Sequence, residues 1–295
     1  MKKPTKESRV EKTYYRYWLV IPALLIFTIF YIGSIVGGFI FSFTNWSIYN
    51  FENPQFIWFD NFIMLFTSES FYRALANVTV FALVTTVLKV GIALGIALLL
   101  NVKFRGRNFF RGLSFLPCTL GALVVGYVFK FIFLPDGILN QLLSHVGVSP
   151  NWLGDPKIAL YTVCLVESWM WIGFNVAILL AGLQSIPTEL VEAAKIDGAS
   201  GWNIFRNITV PFIRPSVNVT ITLCVIGGFN VFDIVMSMTN GGPNGATQVL
   251  TKLSYDALRV GTLGYASCIN LVQFLIIVCI ITPLLKILRR KEIEV

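Results

Sequence analysis

The apolar run from about Ile158 to Leu183 carries a carboxylate. Glu167 lies inside it, with Ser168, Trp169, Trp171 and Asn175 close by. A charged group in a membrane span costs roughly 2.5 to 3.5 kcal/mol on insertion scales, so Glu167 must face a cavity or a partner group. Carboxylate oxygens accept hydrogen bonds from hydroxyls, and indole rings cover apolar C–H faces. The cluster therefore suits a ligand rich in both. Asn230 and Asp233, in the string FNVFD, have the same capacity. The competing reading is that these groups only tie helices together, with Lys89 or a group on another span as the tie for Glu167.

Bond-making chemistry has little raw material here. The single histidine, His145, sits in a polar loop, and the five cysteines fall inside apolar segments with no C-x-x-C pair. They read as packing thiols, not as metal ligands or nucleophiles. Only 13% of the 295 residues are charged and 56% are hydrophobic, against about a quarter charged in soluble domains. The chain is thus expected to be an integral membrane protein. Its net charge of +8 does not point to nucleic acid, because the basic residues flank apolar runs as topology determinants do.

Six spans are expected to position these groups. The first, about Trp18 to Phe43, follows a basic segment, residues 1–17, and has neither the short core nor the small-residue site of a cleaved signal. Its Gly33 and Gly37 form a G-x-x-x-G that would admit another helix closely. Asn45 to Phe71 is too interrupted to span, and its aromatics suit the membrane interface. The second span, about Tyr72 to Leu100, contains Lys89 and places Gly91 and Gly95 one turn apart. A basic turn with Lys103, Arg105, Arg107 and Arg111 leads to the third, about Leu113 to Leu134, in which Pro117 is tolerated if neighbours satisfy the freed carbonyl. The fourth is Ile158 to Leu183, the fifth about Phe212 to Met238, and the sixth about Tyr265 to Leu288, before a tail at 291–295. Between the last two, TNGGPNGATQ reads as turns.

Six spans place both termini on one side. Of the 23 Lys and Arg, 6 precede the first span, 4 lie between the second and third, 3 in the loop from Glu192 to Pro215, and 4 at the carboxyl end. By the positive-inside rule these segments are expected to be cytoplasmic.

The polar interruption from Glu192 to Pro215, EAAKIDGASGWNIFRNITVPFIRP, lies on that same side. Gly198 can end one short helix in the left-handed conformation, Ser200 can cap the next, and Pro211 and Pro215 fit the first turns of the following span. Two short helices joined by a bend are expected, lying across the membrane surface. Leu190, Val191 and Ala194 give the first a small apolar face.

This string resembles the EAA loop of ABC-importer permeases, at Glu192, Ala193, Ala194, Asp197, Gly198, Ala199, Phe205, Ile208, Pro211 and Pro215. The likeness extends to FRGRNFFRGLSFLP, WLGDPKIAL, AGLQSIPTELVEAAKIDGAS and MTNGGP, and covers nearly the whole chain from about Trp18 to Arg290. The flanking pieces are similar to the carbohydrate-uptake permeases within the binding-protein-dependent inner-membrane component family. The resemblance implies an all-α integral membrane fold of the type I importer permease class, with residues 18–290 as a six-span domain that includes a coupling loop at 185–215. It also implies a bacterial cytoplasmic-membrane location and a heteromeric complex. Its other parts would be a second, non-identical permease, a cytoplasmic ABC ATPase dimer and an extracytoplasmic sugar-binding protein. No G-x-x-x-x-G-K-[ST] string occurs, so this chain is expected not to be an enzyme. It would bind no cofactor, with ATP and magnesium held by the ATPase. In a family member with a known maltose site, Glu167, Met170 and Trp171 fall at sugar-contacting positions. The residue types differ, so the identity of the sugar does not carry over. A permease for a non-sugar solute is the alternative. A stand-alone transporter or channel would leave the EAA string unexplained.

Overall fold

The computed structural model describes residues 20–290, so the basic segment at 1–17 and the tail at 291–295 lie outside the described residues. No named β-strand occurs among them, and their helices are named here in chain order. Helix α1 is Ile21–Phe41. Helix α2, Asp60–Thr67, follows a loop pinned by one bridge between Thr44 and Phe56. Helix α3, Glu69–Asn101, and helix α7, Ala159–Gln184, are the most extensively packed pair. Between them come α4 at Arg107–Phe115, α5 at Ala122–Ile132 and α6 at Ile138–Ser144. Helix α8 is Thr188–Ile196, α9 is Gly201–Phe229 and α10 is Asp233–Met238. Helix α11, Leu250–Arg259, packs on α12, Leu263–Arg289. Five of these helices are long and apolar enough to span a membrane, and the bent pair α4–α5 makes a sixth crossing if taken as one span.

The expected third span is therefore not one helix. Its two parts meet at 93°, for a reason visible in the sequence. Pro117 offers no amide to a helix, and Leu120 and Gly121 are extended, with ψ of 146° and 131°. The first part also begins earlier than expected, inside the basic turn. There Arg107 and Arg111 donate to the last carbonyls of α3, those of Asn101 and Leu100.

The expected fifth span is also broken, at Asn230–Phe232, leaving α10 as a separate short helix packed on α5. A break inside a membrane exposes carbonyls that lipid cannot satisfy. Here side chains from two other helices satisfy them. Gln273 of α12 donates to Phe229 O at 3.0 Å and to Asn230 Oδ1 at 3.2 Å, and Thr251 of α11 donates to Val231 O.

Close backbone approach occurs at glycines other than those of the two expected motifs. A Cβ on Gly228 would lie 2.7 Å from Ala82 Cα, so α9 and α3 touch there, and one on Gly173 would lie 1.9 Å from Ser114 O. Gly91 and Gly95 face open space, and Gly33 and Gly37 meet only atoms of α1 itself.

Two apolar clusters hold the bundle. One contains Phe71 to Ala82 of α3, Leu160 to Met170 of α7 and Val225 to Phe229 of α9. The other contains Ala93 to Leu100, Val176 to Leu183 and Ile213 of the same three helices. Between them all three helices carry polar side chains, and the cavity lies in that layer.

Candidate functional site

Two features stand out, a cavity within the bundle and a helical loop outside it. The cavity, of about 350 Å³, is lined from α7 by Glu167, Trp171, Phe174 and Asn175, and from α9 by Leu223, Cys224, Gly227 and Asn230. Lys89 of α3, Ala122 of α5, and Val231 to Ile234 at the break complete it. Steps of three and four residues along α7 and α9 place each set on one helix face. The broken fifth span turns its irregular backbone toward this space, where non-helical backbone at membrane depth belongs.

Lys89 Nζ donates to Glu167 Oε1 at 3.1 Å, and both side chains are over nine-tenths buried. The tie offered as the competing reading for Glu167 is thus formed, while Glu167 also lines the cavity. Its Oε2 has no protein partner among the described residues, and the ammonium retains two further donors. Asn175 is largely committed, with its amide nitrogen on Trp171 O and its oxygen accepting from Cys224 Sγ. Asn230 is oriented by Ile226 O and Gln273. Trp171 meets Phe174 edge to face, their ring centroids 6.1 Å apart, at the cavity wall.

Two residues of the expected set lie elsewhere. Trp169 projects from another side of α7 and packs on Phe129 of α5, their ring centroids 5.1 Å apart. Met170 is buried in the apolar core. Neither lines the cavity. Conversely, Lys89 and Phe174 line it and were absent from the expected set. An isolated lysine in an apolar run was the signal for the first, and the seventh position after Glu167 for the second.

In the loop, α8 ends as its sequence requires. Gly198 has φ +76°, its amide reaches Lys195 O at 3.1 Å, and the Ala199 amide reaches Ala194 O at 2.9 Å. This is the paired 5→2 and 6→1 pattern of a glycine helix stop. Ser200 Oγ then accepts from the Asn203 amide at 3.3 Å and caps α9. The second short helix of the expectation, however, is no separate element. It continues as the start of α9 through Phe205 and Ile208 to Phe229. The π-helical turn at Phe205–Thr209 fits Pro211, which cannot donate to Asn207 O. Because α9 starts at Gly201, Pro215 lies in its interior and not in its first turns.

No residue of α8 is buried. Glu192, Ala193 and Asp197 are exposed, Val191, Ala194 and Ala199 half-buried. Leu190, Ile196 and Trp202 are 42%, 86% and 66% exposed, a group of apolar side chains left largely uncovered among the described residues.

Comparison with known proteins places both features in context. Residues 90–290 match the family described as "Binding-protein-dependent transport system inner membrane component". The chain is 32% identical over 291 residues to the probable starch degradation products transport system permease protein AmyD of Thermoanaerobacterium thermosulfurigenes, covering 98% of this chain and 99% of that protein. It is 33% identical to the multiple sugar-binding transport system permease protein MsmF of Streptococcus mutans, with 97% and 99% covered. A crystal structure of a bacterial alginate ABC transporter, in complex with a pentasaccharide-bound periplasmic protein, superposes with a TM-score of 0.81 at 22% identity, covering 94% of each chain. At that identity the likeness concerns the fold.

Proposed function

The chain belongs to the family of binding-protein-dependent transport inner-membrane components, and from that premise we propose that it forms half of the translocation pathway of an ATP-driven saccharide importer. It is a multi-pass membrane subunit of a transporter, not an enzyme. The relatives' names support saccharides as the cargo, and the cavity offers matching chemistry. Trp171 and Phe174 can cover C–H faces, while Glu167, Lys89, Asn230 and Asp233 can pair with hydroxyls.

The observation that carries the reading is α8, a glycine-capped helix with no fully buried residue among the described residues. Leu190 and Ile196 on it are the kind of exposed apolar side chains that mark an interaction surface. A groove on a cytoplasmic ATPase is the proposed seat, and that ATPase pair would hold ATP and magnesium. A second, non-identical permease would close the other half of the pathway, and an extracytoplasmic sugar-binding protein would deliver the cargo. In the cycle, ATP closes the ATPase pair, α8 moves with it, and the cavity opens outward to receive the saccharide.

Co-expression of all four components in proteoliposomes should give saccharide uptake that depends on ATP, and omission of any one should abolish it. Uptake by this chain alone, or uptake only of a non-sugar solute, would count against the reading.

The orientation has its own test. With termini and α8 cytoplasmic, a cysteine replacing Ser200 should react with a membrane-impermeant reagent only from the cytoplasm. One replacing Asn244, in the turns after α10, should react only from outside. The opposite pattern would separate α8 from any cytoplasmic motor.

A further inference from the structure

We infer that Asp233 is a specificity-determining residue that makes this half of the pathway selective for uncharged saccharides over acidic ones, an inference that rests on the importer reading above. Three charged side chains line the cavity: Lys89, Glu167 and Asp233. The first two neutralise each other across 3.1 Å. Asp233 has no such partner, since no ion pair or hydrogen bond reaches its carboxylate from the described residues. It is exposed, in the first turn of α10. The cavity wall built by this chain therefore carries one uncompensated negative charge.

The consequence for a ligand follows from its charge. A sugar hydroxyl donates to a carboxylate and gains a charge-assisted hydrogen bond. A uronate or sulfonate instead places a second negative charge in the same space. For two unit charges about 6 Å apart at an effective dielectric of about 20, the repulsion disfavours binding by roughly 100-fold. Lys89 adds no net positive charge to offset this, because Glu167, 3.1 Å away, balances it. The printed cargo of the alginate transporter, which shares the fold, is an acidic polysaccharide. On this inference the two pathways take saccharides of different charge.

The test is equilibrium binding to the assembled complex of both permeases and the ATPase pair, without the binding protein, so that only the membrane pathway selects. The probes are maltotriose and trigalacturonate, which match in chain length and differ in charge. The wild-type complex should bind the neutral probe at least 10-fold more tightly. Asp233→Asn, which keeps shape and an acceptor oxygen, should shrink that gap by 10-fold or more. Asp233→Glu, which keeps the charge, should retain it. A gap that is absent in the wild-type complex, reversed, or unchanged in Asp233→Asn overturns the inference and leaves the importer reading standing. No binding of either probe, together with no ATP-driven uptake of any saccharide by the full importer, overturns both.

Discussion

Lys89→Met and Glu167→Ala, made singly, are each expected to remove most of the assembled complex from the membrane, while the double variant Lys89→Met/Glu167→Leu recovers it. The two side chains meet at 3.1 Å in the polar layer between the apolar clusters, almost wholly buried. Removing one partner of such a pair strands a charge in a medium that cannot solvate it, at a cost of about 3 to 5 kcal/mol. Replacing both by apolar groups of similar volume removes the stranded charge and is often neutral for stability. Detergent-solubilised complex, quantified by size-exclusion chromatography after co-expression of all subunits, measures this directly. The double variant should assemble yet take up saccharide poorly, because the same groups line the cavity. Single variants that assemble normally but fail to transport would make Glu167 a ligand contact without a structural role. Normal assembly with normal transport would remove it from both.

That outcome also marks how far the sequence could be read. The hydropathy of the long helices placed five of six crossings, because burial in lipid demands continuous apolar runs whatever the tertiary contacts. Gly198 and Ser200 were legible for a similar reason, since a glycine stop followed by a serine cap is decided locally. The two broken spans were not legible. Pro117 was visible, but a proline alone does not say whether a helix kinks or turns through 93°. The break at Asn230–Phe232 depends on Gln273 and Thr251, which satisfy the carbonyls of Phe229 and Val231 from 44 and 20 residues away. The same limit explains the site. Glu167 and Lys89 were each conspicuous as charges in apolar runs, but their pairing spans 78 positions. Trp169 had the right chemistry beside Glu167, yet it points to α5. Neighbours in a helix sequence are not neighbours on a helix face.

Gly198→Val is expected to leave ATP hydrolysis by the assembled importer largely intact while lowering saccharide uptake at least about 10-fold. At φ +76° a Cβ would meet no atom within 4 Å, so nothing collides and the cost is that of the backbone alone. For a residue with a side chain the left-handed conformation costs roughly 1 to 2 kcal/mol, and a β-branched one tolerates it least. The cheapest relief is to rotate out of it, which would break the paired bonds from Gly198 and Ala199 back to Lys195 and Ala194. Helix α8 would then leave at another angle to α9. That angle matters because α9 is helical without interruption for 29 residues, roughly 44 Å at 1.5 Å per residue, and ends at Asn230 on the cavity wall. A displacement of α8 thus has a continuous rod along which to reach the cavity, and the bend at Gly198 sets where the rod points. Gly198→Asn, which tolerates the left-handed region, should retain most uptake, and Gly198→Ala should fall between the two. Measuring ATP hydrolysis and uptake on the same proteoliposomes separates a coupling defect from a loss of assembly. Full uptake in the valine variant, or equal loss in all three, would detach the bend from the coupling between ATPase and cavity.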